Sequence, residues 1–228
     1  RVKKRDMKFS KKTLQDIGQS SSLTCIQQSV MNFGILMVQG LVNSFGTVVM
    51  AAFAAAVKID SFAYMPVQDL GNAFSTFVAQ NHGAGRSDRI REGIKRISIA
   101  TFLFCIAVGT LVFLFAEPLT RIFIDAGEVE IISISVQYLR VVAPFYFGIG
   151  ILFLLYGFYR ALLRPGMSLI LTLISLGTRV ALAYALAAVP TIGVVGIWWA
   201  IPIGWALADC TGIGYYLRNR KRLLNHHA

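Results

Sequence analysis

The side chains with chemical potential in this sequence are amides and isolated charges set into long apolar runs. Gln28, Asn32, Gln39 and Asn43 recur within one such run. At 100° per residue they fall at about 0°, 40°, 20° and 60°, a narrow polar stripe, with Val30, Phe33, Met37 and Leu41 on the other side of the helix. Ser61, Tyr64, Gln68, Asn72 and Ser75 make a second stripe within about 80° on the next run. Amides left unpaired in an apolar medium are costly, so both stripes must face protein or water. Two readings stay open: hydrogen bonding that glues helices together, or the wall of a wet cavity. Two polar-faced neighbours point to a cavity between them, which makes Gln28, Asn32, Gln39, Asn43, Tyr64, Gln68 and Asn72 its candidate lining.

Ionisable groups in apolar runs are functional candidates by default. Lys58, Asp60 and Asp69 lie on or beside the second stripe. Each is a candidate for ion coupling; the alternatives are a lysine that snorkels and carboxylates that are simply paired. Arg179 and Asp209 lie on consecutive runs, and counting inward at 1.5 Å per residue their depths differ by only about 6 Å, which predicts a structural ion pair. Catalytic groups are missing. The histidines are His82, His226 and His227, none inside an apolar run, and there is no His-Glu-x-x-His or phosphate-loop pattern. Lys58 has only Ser44 and Ser61 nearby in sequence, without a nucleophile context. The expectation is a non-enzyme without cofactor. Cys25, Cys105 and Cys210 are scattered within apolar runs, with no disulfide or metal spacing.

The elements that must position these groups follow from composition. Of 228 residues, 56% are hydrophobic and 14% charged, too few charges to coat a water-soluble domain. Mean hydropathy is +0.63. A hydrocarbon core ~30 Å thick needs about 20 apolar residues per crossing helix. Runs of that kind cover residues 20–43, 48–78, 97–116, 132–159, 167–189 and 194–217. They predict an all-α integral membrane fold, a bundle of six transmembrane helices over residues 17–217, with a basic arm at 1–16 and a basic tail at 218–228. Pro66, Pro144 and Pro202 fall inside spans 2, 4 and 6, where each removes a backbone hydrogen bond and favours a kink.

The net charge of +11 is distributed as a topology signal rather than a nucleic-acid site. Of 22 Lys and Arg, 18 fall in residues 1–12, 83–96, 160–166 and 218–222, while the intervening segment 117–131 holds Arg121 against Glu117, Asp125, Glu128 and Glu130. Basic and non-basic connections alternate, which places both termini in the cytoplasm by the positive-inside rule. Arg1 is not an initiator, and the basic run leads into polar Thr13 to Ser22 rather than a short apolar stretch with a cleavage site. The sequence therefore reads as starting partway through a longer protein.

Two segments of span 2 and its following loop carry a specific pattern: Ile59-Asp60-Ser61-Phe62-Ala63-Tyr64-Met65-Pro66, and Ala73 to Ala79 followed by Gln80-Asn81-His82-Gly83-Ala84-Gly85-Arg86. With Gln27-Gln28-Ser29-Val30 and Gln39 to Asn43 in span 1, Arg140 to Phe145 in span 4 and Gly196 to Pro202 in span 6, it resembles the multidrug and toxic-compound extrusion (MATE) family, over nearly the whole chain. The resemblance implies one six-helix lobe of a twelve-helix transporter, here the C-terminal one, with its basic arm matching the linker between halves. It further implies exchange of amphipathic or cationic small molecules for Na⁺ or H⁺ by alternating access in the plasma membrane, bacterial inner membrane included, and an N-terminal half as partner. Some members bind the cation with a Glu in the first helix of this half and an Asp in its fourth. Here Gln28 stands at the former position and span 4 holds no acid, so the resemblance does not implicate those positions in Na⁺ binding; in other members the proton-binding carboxylate lies in the N-terminal half. A lipid-linked saccharide flippase of the same wider superfamily is the alternative, and its cationic cavity would have only Lys58 and Arg179 to draw on. A non-transporting structural subunit is the other, and the two polar stripes stand against it.

Overall fold

A computed structural model describes residues 11–224, apart from the side chains of residues 12, 13, 16, 20 and 221. Residues 1–10 of the expected arm, and His226 and His227, lie outside the described residues. Helices α1 (Lys11–Asn43), α2 (Thr47–Gly83), α3 (Ser87–Leu114), α4 (Ala116–Thr120), α5 (Val129–Val142), α6 (Tyr146–Ala161), α7 (Pro165–Ala187) and α8 (Val194–Leu224) follow one another. Six candidate spans result, α5 and α6 together making the fourth. An all-helical chain is the solution in which every backbone group in lipid is satisfied within its own element.

The helices run past the apolar borders. The segment 83–96, expected as a basic loop, is mostly helix, because α3 starts at Ser87 and only 84–86 form the turn. Apolar length sets the part of a helix inside lipid, not where its hydrogen bonds stop, and Glu92 and Arg96 pair at 2.5 Å across one turn of this extension. The glycines of the sequence pattern have a mechanical reason. The backbone N–H of Ala84 donates to Gln80, that of Gly85 to His82 and that of Arg86 to Asn81, closing the end of α2. Gly85 turns the chain at φ +67°, a conformation that favours glycine. The Ser87 hydroxyl then donates to the Leu224 carbonyl, tying this turn to the end of α8.

Of the three span prolines, only Pro144 coincides with a break: α5 and α6 are separated by a tight turn at Ala143–Phe145, while α2 and α8 continue through Pro66 and Pro202. Next to the break, a β-carbon on Gly109 of α3 would stand 2.4 Å from the Ala143 carbonyl oxygen. The absence of a side chain there lets α3 approach the broken backbone. Gly109→Ala is expected to destabilise the lobe by about 1–3 kcal/mol through overpacking, read as a lower thermal midpoint in detergent.

The centre of the bundle is α2 against α6 and α7 against α8, with α1 resting on α7, Gly34 against Leu176 among the contacts, and touching α2 only lightly. Phe33, Leu36, Phe62 and Leu103 are exposed on the outside, as a lipid-facing surface requires. For the alternating basic and non-basic ends, single cysteines at Ser87 and Gly127, in a background lacking the native three, are expected to label from opposite sides with an impermeant reagent. Same-side labelling would remove the topology.

Candidate functional site

Because α1 leans on α7 rather than on α2, a groove opens between the two polar-striped helices, floored by α6, α7 and α8. Its deeper part is a cavity of about 290 Å³ lined by Ser61, Tyr64, Gln68, Tyr156, Arg179 and Trp205 among apolar neighbours. Toward the end bearing the basic turns it continues past Gln68 and Tyr156 to Gln27, Gln28, Asn72 and Arg160. Arg160 is held there by its Nη2, which donates to Asn72 Oδ1 at 3.2 Å. The Gln27 amide donates to Thr172 of α7 at 3.0 Å, fastening α1 to the floor.

Of the seven candidate lining residues, the structure brings Gln28, Tyr64, Gln68 and Asn72 to this groove. Asn32, Gln39 and Asn43 are exposed on α1 outside it. Helical period places all four α1 amides on one face, but the lean of α1 toward α7 turns only the start of that face to the groove.

The three ionisable candidates separate by environment. Lys58 is exposed and lies over the Phe123 ring, 5.8 Å from its centroid. Asp69 is exposed. Asp60 is only 2% exposed and enclosed by phenols. Tyr138 of α5 donates to its Oδ2 at 2.6 Å and Tyr64 to the same oxygen at 3.3 Å, while Tyr146 of α6 donates to Oδ1. The rings are packed in turn. Tyr64 stands edge-on to Tyr146 and Trp205, with centroids at 5.3 and 6.0 Å. Tyr138 abuts Trp198 at 4.9 Å, and Phe53 stacks on Trp198 at 5.6 Å. Carboxylate burial of this degree is tolerable only with such satisfaction.

The ion pair expected between Arg179 and Asp209 is corrected. Among the described residues, ion pairs join Arg96 to Glu92 and Arg121 to Glu117, and none joins Arg179 to Asp209. Arg179 instead acts electrostatically on Asp60, Tyr64 and Tyr138. Matched depth was insufficient because α7 and α8 meet backbone to side chain at Gly204, whose β-carbon position lies 3.4 Å from Arg179 Cβ, more than a turn before Asp209. Arg179 lines the cavity together with Ser61, Tyr64 and Gln68 of α2. Tyr138 and Tyr146 were missed by sequence reasoning, as were Arg160 and Trp205. A signal for the tyrosines existed: a phenol in an apolar span needs a partner, and the buried acid of the neighbouring span was the available one.

The fold and groove can be set beside known proteins. The model of the MatE family matches residues 23–185. The chain belongs to the MatE family. Members of this family are transporters, not enzymes. A probable multidrug resistance protein NorM of Thermotoga maritima is 28% identical over 176 residues, covering 77% of this chain and 38% of the relative. The probable multidrug resistance protein YpnP of Bacillus subtilis is 29% identical over 197 residues, covering 86% and 43%. The solved structure of an outward-facing multidrug resistance MATE family transporter superposes with a TM-score of 0.88 at 21% identity, over 97% of this chain and 49% of the other. This MatE chain thus spans less than half the length of the relatives it matches, and it is an integral membrane protein with the fold of a MATE lobe.

Proposed function

We propose that this MatE chain is the C-terminal half of a cation-coupled efflux antiporter, that its α1–α2 groove is one wall of the substrate path, and that H⁺ on Asp60 is the coupling ion. The observation that carries the reading is the Asp60 carboxylate, closed off by three tyrosine hydroxyls directly behind the groove-lining ring of Tyr64. Both oxygens already receive O–H donors from tyrosines, which leaves a metal cation no coordination shell to build there. A proton needs neither a new ligand shell nor space. The groove mixes Tyr64, Tyr156 and Trp205 with amides and two arginines, and among the described residues no carboxylate lines it. Of the two substrate classes the resemblance implies, this lining suits amphipathic aromatic molecules better than cations.

Alternating access requires a second body for the lobe to rock against. Exposed Asn32, Gln39 and Asn43 would be covered by it, since an amide facing lipid is costly. The test is reconstitution into proteoliposomes, with the chain alone and with the chain co-assembled with an N-terminal half, under separate pH and Na⁺ gradients and with a fluorescent aromatic substrate. Flux is expected only from the two-lobed assembly and only under a pH gradient. Coupled flux from a species shown to be a monomer of this chain would overturn the half-transporter reading; flux driven by Na⁺ alone would overturn the assignment of the ion.

A further inference from the structure

The second buried acid of the lobe has no role in the reading above. Asp209 lies fifteen residues from either end of α8 (Val194–Leu224), inside its apolar stretch and on the C-terminal side of that stretch's centre. It is 7% exposed, and its Oδ1 is buried without a hydrogen-bond partner. Its Oδ2 lies 3.7 Å from where a β-carbon on Gly148 of α6 would be, and the same Gly148 position meets the Trp205 side chain one turn earlier on α8. The acid therefore sits behind the Trp205 wall of the groove, against the glycine surface of α6.

We propose that Asp209 is a second proton-binding site of the lobe, separate from the tyrosine-enclosed Asp60. A carboxylate ionised and buried within a membrane span must be paired or must neutralise itself. The guanidinium that depth arithmetic would have paired with it forms no ion pair with Asp209, and Arg179 Nε is likewise buried without a partner. The titratable groups around Asp209 are Tyr156 of α6, close enough to interact electrostatically, and beyond it Tyr159 of α6, whose hydroxyl is committed to the Gly212 carbonyl at 2.6 Å. None of these hydrogen-bonds to Oδ1. A bare proton on the carboxyl is the neutralising cation that this tight, glycine-lined position accommodates. Tyr156, which borders both parts of the groove, is the titratable side chain between Asp209 and that groove.

This proposal does not rest on Asp60 being coupled, and its test does not measure flux. The purified chain in lipid nanodiscs, in whatever assembly it adopts, is examined by infrared difference spectroscopy in the stretching region of protonated carboxyls, in H₂O and D₂O. At neutral pH the wild type is expected to show a deuterium-sensitive C=O band that vanishes in Asp209→Asn and persists in Asp60→Asn. Asp209→Asn is also expected to keep the wild-type thermal midpoint at neutral pH, because an amide replaces a neutral acid of the same shape. If that variant fails to fold, Asp209→Glu, which keeps the acid and shifts the band, takes its place. A band indifferent to both substitutions shows an ionised Asp209 and overturns the proposal. So does a loss of stability in Asp209→Asn that is restored by Arg179→Gln in the same molecule, the signature of an ion pair.

Discussion

Asp60→Asn is expected to abolish pH-driven flux in the assembled transporter, by a hundredfold or more, equivalent to about 2.7 kcal/mol. A coupling group works by preferring one conformational state when loaded and another when empty, and an amide cannot change its proton occupancy. The substitution keeps the shape and one carbonyl acceptor. Three phenols converge on Asp60, so at least one of them loses its acceptor, at a cost of about 1–3 kcal/mol in a buried site. The lobe should therefore melt earlier yet remain folded at working temperature, and substrate should still bind at the groove. The decisive comparison is exchange of substrate down its own gradient, with no pH difference, against uphill flux with one. Loss of the second with survival of the first is the expected outcome. If Asp60→Asn pumps against a gradient as the wild type does, Asp60 is only a structural acid. Tyr146→Phe and Tyr138→Phe, each removing one donor, are expected to weaken coupling less than the loss of the acid itself.

Much of this architecture was legible in the residues because lipid imposes few solutions. Six apolar runs of sufficient length give six spans. Helical period gathered Gln28 onto one stripe and Tyr64, Gln68 and Asn72 onto another, four residues that the structure sets along one groove. It could not say that α1 tilts onto α7 through Gly34, where a β-carbon would lie 3.3 Å from Leu176 Cβ, and so it carried Asn32, Gln39 and Asn43 into the groove along with Gln28. Depth counting put Arg179 and Asp209 at one height but carries no information on azimuth, and azimuth decides the partner. The enclosure of Asp60 was hidden for a related reason. Its donors Tyr138 and Tyr146 are 78 and 86 residues away and sit on either side of the Ala143–Phe145 break. Extrapolating one continuous helix through Pro144 does not predict how two tyrosines eight residues apart come to grip the two oxygens of a single carboxyl.

The second large effect is expected far from any ionisable group, at the contact of α2 with α6. A β-carbon on Gly157 would stand 2.3 Å from the Gly71 carbonyl oxygen, and one on Gly71 would stand 2.8 Å from the Phe153 carbonyl oxygen. The obstacle on each side is backbone, which cannot rotate away as a side chain tip can, so the helices themselves must separate. Gly157→Ala is expected to cost about 3 kcal/mol, the upper end for overpacking, and Gly157→Val more. The consequence reaches the ion site through simple geometry. Asp60 precedes Gly71 by eleven residues and Tyr146 precedes Gly157 by eleven, and α2 and α6 run in the same direction across the membrane. Eleven residues are about 16 Å along each helix and return to within about 20° of the same face. Asp60 and Tyr146 therefore meet at one height because their helices touch at the glycine pair below. Forcing the pair apart should lengthen or break the Tyr146 to Asp60 hydrogen bond, and pH-driven flux per folded molecule should fall together with the thermal midpoint. Gly214→Ala is the control, since a β-carbon there has nothing within 4 Å. At a helical position free of contacts, alanine is expected to be neutral or to stabilise by about 0.5–1 kcal/mol. If Gly157→Ala melts with the wild type while Gly214→Ala behaves as expected, α2 and α6 do not touch through bare backbone, and the alignment of Asp60 with Tyr146 must come from the aromatic packing around them instead.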